Sequence, residues 1–360
     1  MMKLEYRFVI EMLAGDSTAL GEFPVEVDWE PAREFARLLA LRGGRADRGA
    51  GGPAVAIEPV WDEALAEPHA SGARVVDGDV VCPISRAYFK SLAVEISAKL
   101  VEQQALKSGE LFRYRLLAYR QAPEPSVRDA FTVEDVTPPL RFIESSLAAL
   151  HRDTVPFHGG HGDDVPVFIP QPVLDEVAEL TLAAGPIETG GILIGQLHRD
   201  SEMPEIALEV TAQIPARHTL SKSTVLTFTA ETWTAVQAAL DLRNSDELMC
   251  GWWHSHPSFK FCKPECPMER RRECSLQQIF LSQDDVLLHR TIFPKAYSIA
   301  LLANHADAGL GFGLFGWRGG IVQNRGFHIS GAVQPEPEIT TRISTETRTG
   351  DQAHASHCPK

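Results

Sequence analysis

No stretch of this 360-residue chain approaches about 18 consecutive apolar residues, so no membrane-spanning helix is expected. Basic residues are scarce: 34 Lys and Arg stand against 48 Asp and Glu, for a net charge of −14. Phosphate backbones are held by clustered Lys and Arg, so nucleic acid is excluded as a bulk partner. The opening residues, Met1-Met2-Lys3-Leu4-Glu5-Tyr6-Arg7, lack the apolar core of a secretory signal, and a cytoplasmic setting is expected. Cysteine is limited to Cys82, Cys250, Cys262, Cys266, Cys274 and Cys358. Three of these share one short stretch and the others are scattered, which points to a metal site rather than a disulfide framework. What remains has the apolar and charged content of a globular protein, long enough for two ordinary domains.

Residues 1–120 read as an N-terminal α+β domain. Strands are predicted over Tyr6–Leu13 and Phe23–Val27, and Asp28-Trp29-Glu30-Pro31 starts a helix with Asp28 as its N-cap. Leu41-Arg42-Gly43-Gly44 invites comparison with the diglycine tail of ubiquitin-like proteins. A helix terminus followed by a loop accounts for it better, because too little chain precedes it for that fold. Asp77-Gly78 marks a hairpin. His69 and Cys82 stand alone and read as structural. Residues 121–164, rich in Pro, Gly and acid, read as a connector, with His151, His158 and His161 as solvated residues of it rather than ligands. Residues 165–330 alternate strand-like and helix-like stretches, which predicts a mixed sheet covered by helices. Among them are strands at Glu188–Leu197, Thr224–Phe228, Leu248–Trp253 and Tyr297–Ala303. Residues 331–360 lack apolar periodicity and read as a disordered tail.

The chemistry gathers at Gly251-Trp252-Trp253-His254-Ser255-His256-Pro257. On a strand, residues two apart point to the same side. His254 and His256 therefore present two imidazoles to one spot, a pair suited to zinc. Downstream, Ser282-Gln283-Asp284-Asp285 looks like a helix N-terminus capped by Ser282. Either aspartate could supply a third ligand, and Asp285 lies one helical turn from Ser282. Upstream, Glu188 stands at the head of a glycine-punctuated apolar run.

An acid, then His-x-His-Pro, then Ser-x-x-Asp is the order of the JAMM (MPN+) metalloprotease family, and residues 165–325 resemble that family's prokaryotic JAB branch. The resemblance implies an α/β (α+β) fold: a curved mixed β-sheet flanked by helices, like that of cytidine deaminases, with the metal at its edge. It implies a zinc held by His254, His256 and Asp285, with Glu188 as general base and acid and Ser282 donating to the oxyanion. The Ser-x-x-Asp spacing favours Asp285 over Asp284. It also implies a zinc-dependent isopeptidase or peptidase that cuts after the C-terminal glycine of a ubiquitin-like protein, in a precursor or a conjugate. A hydrolase of a sulfur-carrier adduct and a metal-free interaction scaffold are the alternatives.

One departure is large. Between His256 and Ser282 lie Pro257 to Leu281, far more than the family pattern holds. This insertion carries Cys262, Cys266 and Cys274. Their spacing admits a second, structural zinc, with His289 or Cys250 among the candidates for a fourth ligand; three reduced thiols on a flexible loop is the other reading. It also carries Lys260, Lys263 and Arg270 to Arg272, a basic lip or a solvated face.

Overall fold

The computed structural model describes residues 5–45, 55–121, 140–157, 164–200, 202–216, 228–243, 246–262, 266–271 and 274–331. Two sheets organise them. The first unit holds β1 (Glu5–Ala14), β2 (Ala19–Pro24), α1 (Glu30–Arg42), β3 (Ala56–Trp61), β4 (His69–Asp77), β5 (Val80–Ser85), α2 (Lys90–Glu102) and β6 (Phe112–Gln121). Its strands run in the order β2-β1-β6-β4-β3, with β5 on β4, and every pairing is antiparallel. Alternation along β1 buries Phe8, Ile10 and Met12, against which Phe35 and Leu38 of α1 and Ile96 and Leu100 of α2 pack. Each such side chain removed from water contributes about 2 kcal/mol.

α1 carries Pro31 in its first turn, but Trp29, not Asp28, stands at its N-cap. Asp28 Oδ1 instead accepts the Glu30 N–H at 3.0 Å. The helix ends at the diglycine, where Gly43 N–H donates to Leu39 O and Gly44 N–H to Leu41 O. Gly44 has a φ of +79°, a conformation that glycine adopts without strain.

The second unit comprises β7 (Ile143–Glu144), α3 (Leu147–Arg152), β8 (Thr154–Phe157), β9 (Val167–Pro170), α4 (Gln171–Ala184), β10 (Gly190–Arg199), β11 (Ile206–Pro215), α5 (Ala230–Arg243), β12 (Leu248–His256), α6 (Met268–Arg271), α7 (Gln283–Ile292), β13 (Ile299–Ala306), β14 (Gly309–Arg318), β15 (Ile321–Arg325) and β16 (Phe327–Ser330). Its sheet runs β15-β14-β13-β12-β10-β11-β9-β16-β8, with β7 on β10. It is mixed, as expected: β12 lies antiparallel to β10 and parallel to β13. A parallel neighbour needs a crossover, and the crossover from β12 to β13 carries the whole insertion and α7. β12 is an interior strand, so the two histidines sit at its carboxyl end rather than along a lateral edge of the sheet. Close approach fixes its neighbours. A Cβ at Gly251 would strike the carbonyl of Ile299 on β13, and one at Gly191 would meet the Trp253 Nε1 at 2.5 Å.

One expectation changes. The connector over 121–164 contains ordered structure: β7 pairs with β10 and β8 with β16. Strands this short carry too few residues to show a period, and their partners are remote in sequence. His151 on α3 is exposed, as read, and its ring also packs on Phe168 at 4.9 Å and His328 at 4.5 Å. β16, at the end of the predicted second domain, lies in the sheet between β9 and β8. His158 and His161, most of the Thr224–Phe228 strand and the tail after residue 331 lie outside the described residues.

The two sheets are separate, yet the first core runs on into the second unit through Val165, Ile206 and Ala296. The turn between β14 and β15 is seated against the first unit: a Cβ at Gly320 would meet the Tyr88 ring at 2.5 Å and the Ala32 nitrogen at 3.0 Å. Ion pairs Arg42–Glu205 (2.5 Å) and Lys295–Glu34 (3.0 Å) flank the seam.

Candidate metal centre

β12 buries every residue from Cys250 to His256. Trp253 faces the core that includes Leu193 and Leu301, while Trp252 faces the other side, with Ile192 and Phe315. The alternation sets His254 and His256 on the Trp252 side, and the Trp252 ring stacks on His254 at 4.5 Å and 13°. The two Nε2 atoms face each other at 3.0 Å.

α7 brings the carboxylate. Ser282 is its N-cap, with Oγ accepting the Asp285 N–H at 3.1 Å while Asp285 Oδ2 accepts the Ser282 N–H at 2.7 Å. This reciprocal cap fixes the Asp285 rotamer and aims the carboxylate at β12. Oδ1 lies 3.3 Å from His254 Nε2, and Oδ2 lies 3.4 Å from His256 Nε2. Asp284 is exposed. One turn further along, His289 is fully buried and its Nδ1 accepts the Trp252 N–H at 3.1 Å. The register works because four helical residues rise about 6 Å and two strand residues span about 6.6 Å. Asp285 and His289 thus meet His254 and Trp252 along one line.

Glu188 sits in the turn between α4 and β10, not on the strand as expected, because the ladder starts only at Gly190. That turn is pinned beside the histidines: Ser255 N–H donates to Thr189 O at 2.8 Å, and Thr189 N–H donates to Ser255 Oγ at 3.0 Å. Gly190 pairs directly with His254. Ser255, on the face of β12 opposite the imidazoles, therefore positions the acid.

The electrostatics follow. Burial pushes the Glu188 carboxyl up to about 7; the charge of His256 opposes this and that of Asp285 adds to it. Burial would raise Asp285 too, but the charge and hydrogen bond of His254 and the bonds from His256 and Ser282 outweigh it and hold it well below the usual carboxylate range. Burial lowers the pKa of His254 against the pull of Asp285. The result is a carboxylate held in its ionised form, an imidazole whose cation burial disfavours and a carboxyl poised near neutrality around one point.

His254, His256 and Asp285 offer ligand atoms that all lie within 4.8 Å of one another, the group of this kind among the described residues. A tetrahedral zinc with Zn–N and Zn–O of about 2.0–2.1 Å puts neighbouring ligand atoms about 3.3 Å apart. The spacings of 3.0, 3.3 and 3.4 Å therefore fit such an ion. Three protein ligands leave a fourth position open, as catalytic zinc requires. Two aromatic walls, absent from the sequence reading, flank His256: Phe261 at 5.9 Å and Phe280 at 5.4 Å.

The thiol loop is a different place. Cys250 is fully buried in the core and His289 is committed to Trp252, so neither completes a cysteine site. Proximity in sequence suggested both; their burial on β12 and α7 rules them out.

Residues 170–261 match the family model described as prokaryotic homologs of the JAB domain. The match takes in Glu188, His254 and His256 and ends at Phe261, ahead of Ser282 and Asp285. No curated protein matches the chain. Among solved structures, the solution structure of protein DSY2949 from Desulfitobacterium hafniense is similar at 17% identity, covering 47% of this chain and 95% of that one with a TM-score of 0.32. No described helix is long and apolar enough to cross a membrane.

Proposed function

Taking residues 170–261 as a JAB-type domain for premise, we propose that this chain is a zinc-dependent hydrolase of the JAMM type, cutting the amide bond that follows the C-terminal glycine of a ubiquitin-like protein. The observation that carries the reading is the convergence of His254, His256 and Asp285 beside a buried Glu188 whose carboxyl is pushed up to about 7. The three ligand residues would hold the ion, which supplies a Lewis acid and brings the acidity of water into the neutral range.

The rest is the work of the chain. Glu188, half ionised near neutral pH, takes a proton onto its carboxylate from the attacking water and returns it to the departing amine. Ser282 uses its oxygen to cap α7, which leaves its hydroxyl hydrogen to donate to the oxyanion of the tetrahedral intermediate. Trp252 and His289 keep the imidazole of His254 from rotating. A diglycine tail suits the place because a segment without side chains fits beside the buried end of β12 and can lie along strand backbone.

The test is a peptide ending in Gly-Gly joined to a fluorogenic amine, and a ubiquitin-like protein extended past its terminal glycine. Glu188→Gln should keep zinc and lose at least about 100-fold in turnover, whereas His254→Ala should lose both metal and turnover. Wild-type chain loaded with zinc that cleaves neither substrate would refute the substrate assignment. Undiminished turnover in Glu188→Gln would refute the base.

A further inference from the structure

The insertion between β12 and α7 is polar, and its described structure amounts to α6 and two three-residue 3₁₀ turns, Ser258–Lys260 and Ser275–Gln277. Among its described residues only Pro257, Ser258, Cys262 and Gln277 are buried. Apart from Ile279 and Leu281, which pack on the Trp252 core at its end, so few buried groups do not hold a segment of this length by themselves. What it has instead is a frame around its thiols. Gln277 Nε2 donates to Cys262 Sγ at 3.5 Å and to Asp307 Oδ2 at 2.8 Å, and Gln277 Oε1 accepts the Asp307 N–H at 3.0 Å. Asn304 Nδ2 donates to Gln277 O at 2.9 Å, and its Oδ1 accepts from Ser258 Oγ. Arg271 Nε donates to Cys266 O at 2.9 Å, and the Cys274 N–H donates to Arg271 O at 3.0 Å. The loop is thus tied to the far end of β13.

Within that frame the three thiols are neighbours. Gln277 N–H donates to Cys274 O at 2.9 Å while its side chain reaches Cys262 Sγ, Arg271 bonds both Cys266 and Cys274, and none of the three is in a disulfide. Cys262 is buried, while Cys266 and Cys274 are half-exposed. An amide N–H aimed at a buried sulfur is the kind of donor that supports a metal-bound thiolate, in the way outer partners orient first ligands. From these contacts we propose that Cys262, Cys266 and Cys274 form a second metal site, a structural one, that takes zinc through three thiolates, with water or Asp307 at the fourth position. The thiols are adjacent rather than closed into a ligand set, so binding draws Cys266 inward and orders the loop as it does so. Its place is telling. Cys262 directly follows Phe261, whose ring stands 5.9 Å from that of His256. The clamp therefore fixes one wall of the site beside the histidines, and it stands independently of the hydrolase reading.

The experiment is metal analysis of the full chain purified under reductant, with Cys262→Ser, Cys274→Ser and His254→Ala beside it. The expectation is about two zinc ions per chain, falling to about one in either cysteine variant. A cobalt-loaded wild type should show an intense sulfur-to-cobalt charge-transfer band in the near ultraviolet. That band should vanish in Cys274→Ser and persist in His254→Ala, whatever becomes of the histidine site. Because the wild-type spectrum needs no variant, a cysteine variant that fails to fold leaves the test intact. Cobalt-loaded wild type without the band, cysteine variants with unchanged zinc, or a Cys262–Cys274 disulfide in the reduced preparation would each overturn the proposal.

Discussion

The alignment of α7 along β12 makes His289 a test of the whole site. Its Nδ1 accepts the Trp252 N–H, which requires a neutral ring, and burial lowers its pKa to about 3 from an ordinary 6.5. In the window between those values the unfolded chain binds a proton that the folded chain refuses, so stability rises with pH there. The contribution is complete above about 6.5 and is lost as pH falls toward 3, at about 1.4 kcal/mol per pH unit. By pH 4 the wild type should have given up about 3 kcal/mol at this residue. His289→Leu removes the titration but leaves the buried Trp252 N–H unpaired, which costs about 1–3 kcal/mol at any pH. The variant should therefore be less stable than wild type at pH 7 and more stable at pH 4, with the two curves crossing near pH 5. Urea unfolding of the metal-free proteins, followed by tryptophan fluorescence across that range, isolates the effect as a difference between wild type and variant. A difference that does not change with pH would refute the buried, neutral placement of His289 and with it the helix-to-strand register.

Glu188→Gln should show the opposite pH trend. The folded-state pKa of Glu188 is raised to about 7 from 4.5, so wild-type stability falls as pH climbs through that interval. The metal-free variant should match wild type near pH 4 and exceed it by about 2–3 kcal/mol at pH 8, measurable by thermal or urea unfolding. Ser282→Ala should cost about 1 kcal/mol by loss of the cap and also lower kcat, while Ser282→Asp should restore stability without restoring kcat; recovery of both would leave the hydroxyl no role beyond capping. Gly251→Ala drives a methyl into the Ile299 carbonyl and should yield little soluble protein, read by expression and circular dichroism.

The cluster of His254, His256 and Asp285 was open to a sequence reader because two of its three members lie two residues apart on one apolar strand and the third follows its own N-cap by one turn. Both are local patterns, and the structure brings the three together at one point. Glu188 could be named but not placed: its position depends on Ser255 gripping Thr189 across the ladder, a contact between segments far apart in sequence. The same limit hid Trp252–His289 and the frame that Gln277 builds. Short strands such as β7 and β16 pair with remote partners and show no period of their own. The seating of Gly320 against Tyr88 and Ala32 is likewise invisible without the fold, since a Gly-Gly pair in sequence signals only a turn.

The insertion begins and ends at the same spot. The side chains of His256, just before it, and Asp285, in the first turn of the helix after it, meet at 3.4 Å, so this contact ties the two flanks of the crossover together. For a loop with pinned ends, closure entropy grows only with the logarithm of length, about 0.6 kcal/mol for each doubling. The histidines are held by the ladder on one side of the contact and the aspartate by its own cap on the other. Residues can therefore be added, removed or exchanged between them with little effect on the ligand geometry. The crossover is the part of the molecule that can diversify while the cluster of His254, His256 and Asp285 beneath it stays the same.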